Sequence, residues 1–471
     1  MRKKLTFGLL VICLSNYVLS QKLTLEECVK MALDKNISIK QTTLELENAA
    51  IDKSSAIGNF LPNINAQSSH SWNVGLNQNI TTGLIENMTT QFSSMGGNIS
   101  LNIYNGLQNI NQLHRANLSI LARQYQLQDM TDDILLLVAN GYLQILFNKE
   151  LLKAQKSQLI ITIEQLNRTT SLIQAGVLTN SDIFELEANK AAQEQSIIQA
   201  ENNLALSQIS LAQLLQITDF QNFDIVEQNF DIPFSQILEK NPKAIFEKAL
   251  TFRSDIKLGI ININIAEKDV ELAKGTLKPT LRAFYSYSNR LGYSNRLIGS
   301  GDFTEIPIGY VLSSGESVVR SIEETTIAPH LSFAEQLRNN EGHNYGLSLN
   351  IPIFNGFSAR NSVKKAKINL ERNKNAFEEQ KLNLESTINQ AFNDTRGAYK
   401  FYEAVQKTLF SRKDAFNVAQ NRYEAGAMNA FDYVQAQQRY EQSISDRVRA
   451  KFDYIFKLKV LEFYFGIPIT E

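Results

Sequence analysis

Leu101-Asn102-Ile103-Tyr104-Asn105-Gly106 returns later in the chain as Ile351-Pro352-Ile353-Phe354-Asn355-Gly356, and each copy opens a very long helical pattern. From there onward the register holds at 250 residues: Tyr104 pairs with Phe354, Ala175-Gly176 with Ala425-Gly426, Asp182 with Asp432, and Leu215-Gln216-Ile217 with Phe465-Gly466-Ile467. Upstream the register is 217, pairing Ala32-Leu33 with Ala249-Leu250, Ile39-Lys40 with Ile256-Lys257 and Pro62 with Pro279. The 33-residue difference is extra sequence in the second copy, between Pro279 and Tyr345. A duplicated chain without a Pro/Gly-rich linker reads as one body of two similar halves. The expected division is a leader at 1–20, a first repeat at 21–217, a belt-like linker at 218–241 and a second repeat at 242–471.

The leader reading rests on Arg2, Lys3 and Lys4 before an apolar run from Leu5 to Leu14, with cleavage expected at Gln21. Cys13 falls inside it, where Leu10-Val11-Ile12 lacks the small residues of a lipidation site. Cys28 is then the single mature cysteine; it rules out an intrachain disulfide and reads as a small buried hydrophobe. Beyond the leader no apolar run reaches the ~20 residues of a transmembrane helix. Without the leader cations the chain holds 44 basic and 48 acidic residues. That balance favours no polyanionic partner, and no nucleic acid is expected.

Helical periodicity from about Leu25 to Asn59 stops at Leu61-Pro62, and its copy from about Pro242 stops at Pro279. Both then change to period two. Between Ile64 and Leu76 the largely apolar even positions, among them Ile64, Trp72, Val74 and Leu76, oppose Asn65, Gln67, Ser69 and Asn73. The pattern recurs with Ile99, Leu101 and Ile103, with Leu281, Ala283, Tyr285 and Tyr287 (interrupted by Phe284), and with Tyr345, Leu347, Leu349, Ile351 and Ile353. One such strand suits a soluble half-buried sheet. Four joined to very long helices fit a lipid-facing barrel, with Trp72, Tyr285, Tyr287 and Tyr345 as its aromatic girdle. Four strands cannot close, since closed transmembrane barrels begin at about eight and an open edge strands backbone groups in lipid. A trimer would supply twelve strands around a wet lumen of Asn, Ser and Gln. Asn289 to Asn340, rich in Ser, Gly and Glu, is expected to be a long loop between the third and fourth strands.

The helices from Gly106 to about Ile173 and from Gly356 to about Tyr423 hold nearly 70 residues each, or roughly 100 Å at ~1.5 Å per residue. Leu152, Leu159, Leu166 and Ile173 stand seven apart, as do Leu409, Phe416 and Tyr423. That spacing is coiled-coil packing, which also suits a plain rod or bundle. After Gly176 and Gly426 the chain turns and runs back through Leu186 to Leu215 and Val434 to Phe465. Each turn glycine is expected to cap its helix at positive φ. At Asn105-Gly106 and Asn355-Gly356 the glycine is expected to bear the odd torsion of a strand-to-helix junction while the Asn bonds locally. Asp182 and Asp432 begin the returning helices; either they cap those helices, or three-fold symmetry gathers three Asp432 carboxylates into a cation-favouring ring with Gln435 one turn on.

The leader, Ala32-Leu33 with Asn36 and its copy at Ala249-Leu250, Ile103-Tyr104-Asn105-Gly106 with Pro352-Ile353-Phe354-Asn355-Gly356, and the turns from Gly176 to Asp182 and from Tyr423-Glu424-Ala425-Gly426 to Asp432 carry a likeness. The chain resembles the TolC family of outer-membrane efflux proteins over nearly all its mature length. The resemblance implies a mixed fold of mainly long α-helices with a transmembrane β-barrel: a homotrimer with a twelve-strand outer-membrane barrel continued by a twelve-helix periplasmic α-barrel. It implies an exit duct in the outer membrane of a Gram-negative bacterium, docking to a periplasmic adaptor (a membrane fusion protein) and an inner-membrane pump such as an RND or ABC transporter. Adaptor docking would fall on Ala175-Gly176-Val177 and Ala425-Gly426-Ala427, and the entrance would be narrowed by aspartate rings tied through a Tyr matching Tyr423. The chain departs from the family with Met428 and Gln435, where an Arg and a further Asp are usual, so the charged lock is thinned.

No catalytic residue, metal site or cofactor is expected. His70, His114, His330 and His343 lack metal-ligand spacing, and neither a His-Glu-x-x-His helix nor a phosphate-binding glycine loop occurs. Export of small toxic compounds is the reading preferred over two alternatives, a conduit for type I polypeptide secretion and an exported coiled-coil protein without a pore.

Overall fold

The computed structural model describes residues 22–79, 81–176, 178–227 and 236–467. The expected leader with Cys13 and the cut at Gln21, Val177 of the first turn, and 228–235 of the linker lie outside these residues. The chain divides into two compact units, one of Met1–Ala49, Leu118–Asn264 and Glu371–Glu471 and the other of Ala50–Asn117 and Ile265–Leu370. Each draws on both copies of the repeat.

The first copy runs α1 (Leu25–Lys35), α2 (Ile37–Gly58), β1 (Asn63–Gln78), β2 (Ile85–Asn105), α3 (Gln108–Gln174) and α4 (Ser181–Leu214). The second runs α5 (Pro242–Phe252), α6 (Ser254–Gly275), β3 (Thr280–Gly292), β4 (Arg296–Tyr310), β5 (Ser317–Ala328), α7 (Phe333–Asn339), β6 (Glu341–Asn350), α8 (Ser358–Glu424) and α9 (Ala430–Phe465). The first helix of each copy, expected to be continuous, is broken in two. Asn36 and Arg253, one repeat register apart, leave helical torsions at ψ 129° and 134°. Asn36 Oδ1 then accepts the Ser38 N–H at 2.9 Å, and Arg253 grips Asp255 through Nε at 3.0 Å and Nη2 at 2.8 Å.

In the second unit β1, β2, β3 and β6 form one antiparallel sheet in that order. Its register carries most of the apolar positions to one face, with Ile64 opposite Ile99, Ile99 opposite Tyr285 and Tyr285 opposite Tyr345, but a bulge after Asn102 leaves Ile103 unpaired with β3 and sets Tyr104 opposite Leu281. The next layer on the other face is Asn65, Asn98, Ser286 and Asn344, with Ser286 Oγ donating to Asn98 Oδ1 at 3.0 Å. The apolar face is open: Val74, Leu76 and Tyr345 are each more than three-quarters exposed. Two strand expectations need correction. β2 begins at Ile85, far upstream of the alternating stretch, because pairing with β1 holds a segment too polar to declare itself. β6 ends at Asn350, since Pro352 supplies no N–H for a ladder, so Ile351 and Ile353 lie beyond the strand.

The region expected to be a long loop is instead structured. β4 and β5 pair as an antiparallel ribbon, and α7 follows, opened by a capping box in which Ser332 Oγ accepts the Glu335 N–H at 3.3 Å and the Glu335 carboxylate accepts the Ser332 N–H at 2.9 Å. Leu297, Phe303, Ile306, Val319 and Ile322 stand there without period-two spacing, scattered among Gly, Ser and Glu.

The first unit packs around α9. One core joins Cys28 and Ala32 of α1 to Val138, Tyr142 and Ile145 of α3, Leu211 of α4, Ile225, and Val448 and Phe452 of α9. A second joins Ile245 and Ala249 of α5 to Ile388 and Phe392 of α8 and Leu458 and Leu461 of α9. Burial pushes the Cys28 thiol up to about 12, which suits an inert core residue. α3 is long and apolar enough by composition to cross a bilayer, but its apolar stretch is interrupted by Asn140, Gln144 and Asn148, and its Val138, Tyr142 and Ile145 are spent on this core. The linker is anchored on this core: Leu23 pairs with Ile225, and Tyr142 Oη donates to the Val226 carbonyl at 2.7 Å.

Candidate gate at the hairpin turns

The long helices α3 and α8 each end at a small-residue turn. Gly176 and Gly426 take φ of 80° and 73°, and a Cβ there would meet open space, so it is torsion that requires glycine. At the second turn the Gly426 N–H donates to the Tyr423 carbonyl at 3.0 Å and the Ala427 N–H to Arg422 at 2.9 Å, a Schellman closure. Ala175, Gly176, Ala425, Gly426 and Ala427 are all exposed.

Beneath the turns the two hairpins share a core of Leu186, Phe416, Tyr423, Ala430, Tyr433 and Val434, with Met428 packed on it. Tyr423 and Tyr433 are fully buried and stack at 4.8 Å between centroids, and Phe416 stacks on Tyr440 at 5.3 Å. Tyr423 Oη pairs with Thr169 Oγ1 of α3 at 3.2 Å. Burial holds its phenol above the ordinary range. The Tyr423 hydroxyl is thus spent on the other hairpin of its own chain.

Asp432 sits in the first turn of α9, exposed, with its N–H donating to Asn429 Oδ1 at 2.8 Å and its Oδ2 accepting from Asn429 Nδ2 at 3.0 Å. Asn429 is therefore the cap, and Asp432 its reciprocal partner. Asp182 accepts from the Thr179 N–H at 3.1 Å and hydroxyl at 2.8 Å, and its other oxygen takes the Ala430 N–H across the hairpins at 3.4 Å. Arg168 and Glu424 add an ion pair at 3.0 Å. Gln435, one turn beyond Asp432, is exposed.

The expected leucine heptads meet a different outcome in the two copies. Phe416 and Tyr423 are buried and Leu409 half-buried, but Leu152, Leu159, Leu166 and Ile173 are all only half-buried, and the buried side of α3 near the turn is Thr162, Gln165 and Thr169. Above it lies an amide seam: Gln437 Nε2 donates to Thr162 Oγ1 at 2.6 Å, Gln438 Nε2 to Asn189 Oδ1 at 3.2 Å, and Gln193 Nε2 to Glu441 Oε1 at 2.6 Å. The one trace of this in the sequence is Asn189 and Gln193 against Gln437 and Glu441, four residues apart in both copies.

At the strand-to-helix junctions Gly106 and Gly356 take φ of 69° and 62°, and so do the residues after them, Leu107 at 68° and Phe357 at 64°. Asn105 and Asn355 reach forward, their Oδ1 atoms accepting the N–H of Asn109 at 3.2 Å and of Ala359 at 3.4 Å. Among the described residues no cluster of His, Cys, Asp and Glu suits a metal ion.

Long paired helices joined to an open apolar sheet recur in solved outer-membrane channels. The chain aligns with the Campylobacter jejuni CmeC outer membrane channel at a TM-score of 0.74 and 18% identity, covering 94% of this chain and 85% of that one. It aligns with the outer membrane protein VceC of Vibrio cholerae at 0.72 and 12%, covering 94% and 96%, and with the open state of the Neisseria gonorrhoeae MtrE channel at 0.68 and 16%, covering 94% and 89%. No curated protein matches the chain by sequence. The profile of the outer membrane efflux protein family matches residues 28–215 and again 246–465. The chain belongs to the outer membrane efflux protein family. Membership makes it an efflux channel of the outer membrane with a periplasmic extension, in a family of channels and not of enzymes, and removes the pore-free rod from consideration.

Proposed function

We propose that three copies of the chain close a twelve-strand barrel and a twelve-helix tunnel, forming the passive exit duct of a tripartite system that exports small toxic compounds. The observation that carries this reading is the sheet. Its outer strands β1 and β6 have no further partner among the described residues, and its apolar face is exposed. In lipid, edges of that kind are satisfied by closure with other chains. In this reading 21–217 and 242–471 act as two repeats joined at 218–241, and the turns at Ala175-Gly176-Val177 and Ala425-Gly426-Ala427 dock a periplasmic adaptor that links the duct to an inner-membrane pump.

Asp432 and Asp182, with Gln435 beside Asp432, line the entrance. The exposure of Asp432 on the first turn of α9 supports a ring of three carboxylates, which favours cations through its field. Tyr423 acts as a brace between hairpins through Thr169. Crosslinking of outer-membrane extracts tests the assembly: three chains per particle are expected, and a monomeric closed barrel would refute it. Copurification of an adaptor with the crosslinked particle tests docking.

A further inference from the structure

Beside the amide seam, α3, α4 and α9 line a half-open pocket of about 270 Å³, all of it within the first unit. Its lining includes Gln155 and Gln158 from α3, Asn189 and Gln193 from α4, and Gln438 and Glu441 from α9, with no basic side chain. Three of the donors around it are committed to neighbours: Gln193 Nε2 to Glu441, Gln438 Nε2 to Asn189, and Asn189 Nδ2 to Gln437 at 3.4 Å. Three acceptors are not. Gln155 Oε1, Gln158 Oε1 and Gln193 Oε1 are buried with no hydrogen-bond partner among the described residues. Gln193 is 8% exposed, and its short bond to Glu441 fixes which end of the amide is nitrogen, leaving the oxygen free.

Burial pushes the Glu441 carboxyl above the ordinary carboxylate range, and hydrogen bonds from Gln193 and Gln437 pull it back down. Bound water would satisfy the three oxygens but leave the carboxylate without countercharge. A cation answers both needs, and a single carboxylate is too little charge for a tight divalent site. We propose that this cavity is a monovalent cation site, in which K⁺ or Na⁺ is held by the carboxamide oxygens of Gln155, Gln158 and Gln193 with Glu441 as countercharge. The site ties three helices together and does not rest on the duct reading.

The test is thermal unfolding of the full mature protein in detergent at fixed chloride, replacing N-methylglucamine chloride by KCl or by NaCl. A saturable rise in midpoint of about 2–4 °C in at least one alkali salt is expected, as for any ligand bound by the folded state alone. The salt that saturates at the lower concentration identifies the ion. The rise should vanish in Glu441→Gln, which keeps volume and removes the charge. Equal midpoints in all three salts would mean that the cavity holds water only, and a rise retained in Glu441→Gln would place the ion elsewhere; either overturns the proposal. Should that variant not fold, crystals of the natural chain soaked in thallium(I) acetate decide the matter. An anomalous peak among the three Gln oxygens is expected, and its absence is equally fatal.

Discussion

Alanine at Gly106 and at Gly356 should differ in cost although the two glycines are copies of one another. Both have positive φ, 69° and 62°, so each alanine pays for a left-handed backbone, a charge of roughly 1–2 kcal/mol. At Gly356 nothing lies within 4 Å of the added Cβ. At Gly106 the Cβ would meet the Gly275 carbonyl oxygen at 2.3 Å and Lys278 Cβ at 3.0 Å. A carbonyl on the adjoining backbone yields little, so overpacking adds about 1–3 kcal/mol. Unfolding entropy of about 2.1 cal/mol/K per residue makes a full chain of 471 residues lose roughly 1 °C per kcal/mol. Far-UV circular dichroism in detergent should therefore show a fall of about 1–2 °C for Gly356→Ala and about 2–5 °C for Gly106→Ala. Gly356→Asn should recover part of its loss, because Asn tolerates the left-handed region. Equal falls, or a larger one at Gly356, would refute the steric reasoning.

Asp432→Asn should lower the cation selectivity of the channel in planar bilayers, while the loss of a first-turn carboxylate costs only about 0.3–1 kcal/mol of stability; unchanged selectivity with a lower melting point would leave it only the capping partner of Asn429. Gly426→Leu should reduce adaptor crosslinking and export more than it reduces assembled particles, and normal crosslinking would remove the docking role. Asp129 is held at about 6, first by burial and then by Asp255 and Asp133. The folded chain thus binds this proton more tightly than the unfolded one, and stability is lost as pH rises from about 4 through 6. Asp129→Asn should abolish that loss and so gain roughly 1–3 kcal/mol over the natural chain at pH 7.5 relative to pH 4; parallel melting profiles for the two proteins would sink this.

Features that depend on one residue type at one torsion were legible in the sequence. Asn105-Gly106, Asn355-Gly356, Gly176 and Gly426 announce their conformations because other residues are strained there, whereas Leu107 and Phe357 share the same φ without any compositional sign. The apolar face of the sheet was readable from alternation, since the ladder register keeps Ile64, Ile99, Tyr285 and Tyr345 together. The ribbon of β4 and β5 was not, because its residues are exposed on both faces and no core imposes a pattern on them. Nor was the first hairpin's seam. The leucine heptad implied an apolar contact, but Thr162, Gln165 and Thr169 occupy the buried positions, and polar partners come from distant sequence that no local period reveals.

A seam of amides has its own thermodynamic character. Exposing a buried leucine forfeits about 1.5–3 kcal/mol, and the bare surface then seeks any other apolar partner. A parted pair such as Gln437 and Thr162 is taken up by water, at a net loss of about 1 kcal/mol. Along the seam itself, as distinct from the aromatic core beneath the turns, a parted contact leaves no bare apolar surface to adhere to a wrong neighbour. The direction of each hydrogen bond sets the alignment of the helices, which a smooth apolar contact would leave free to slide.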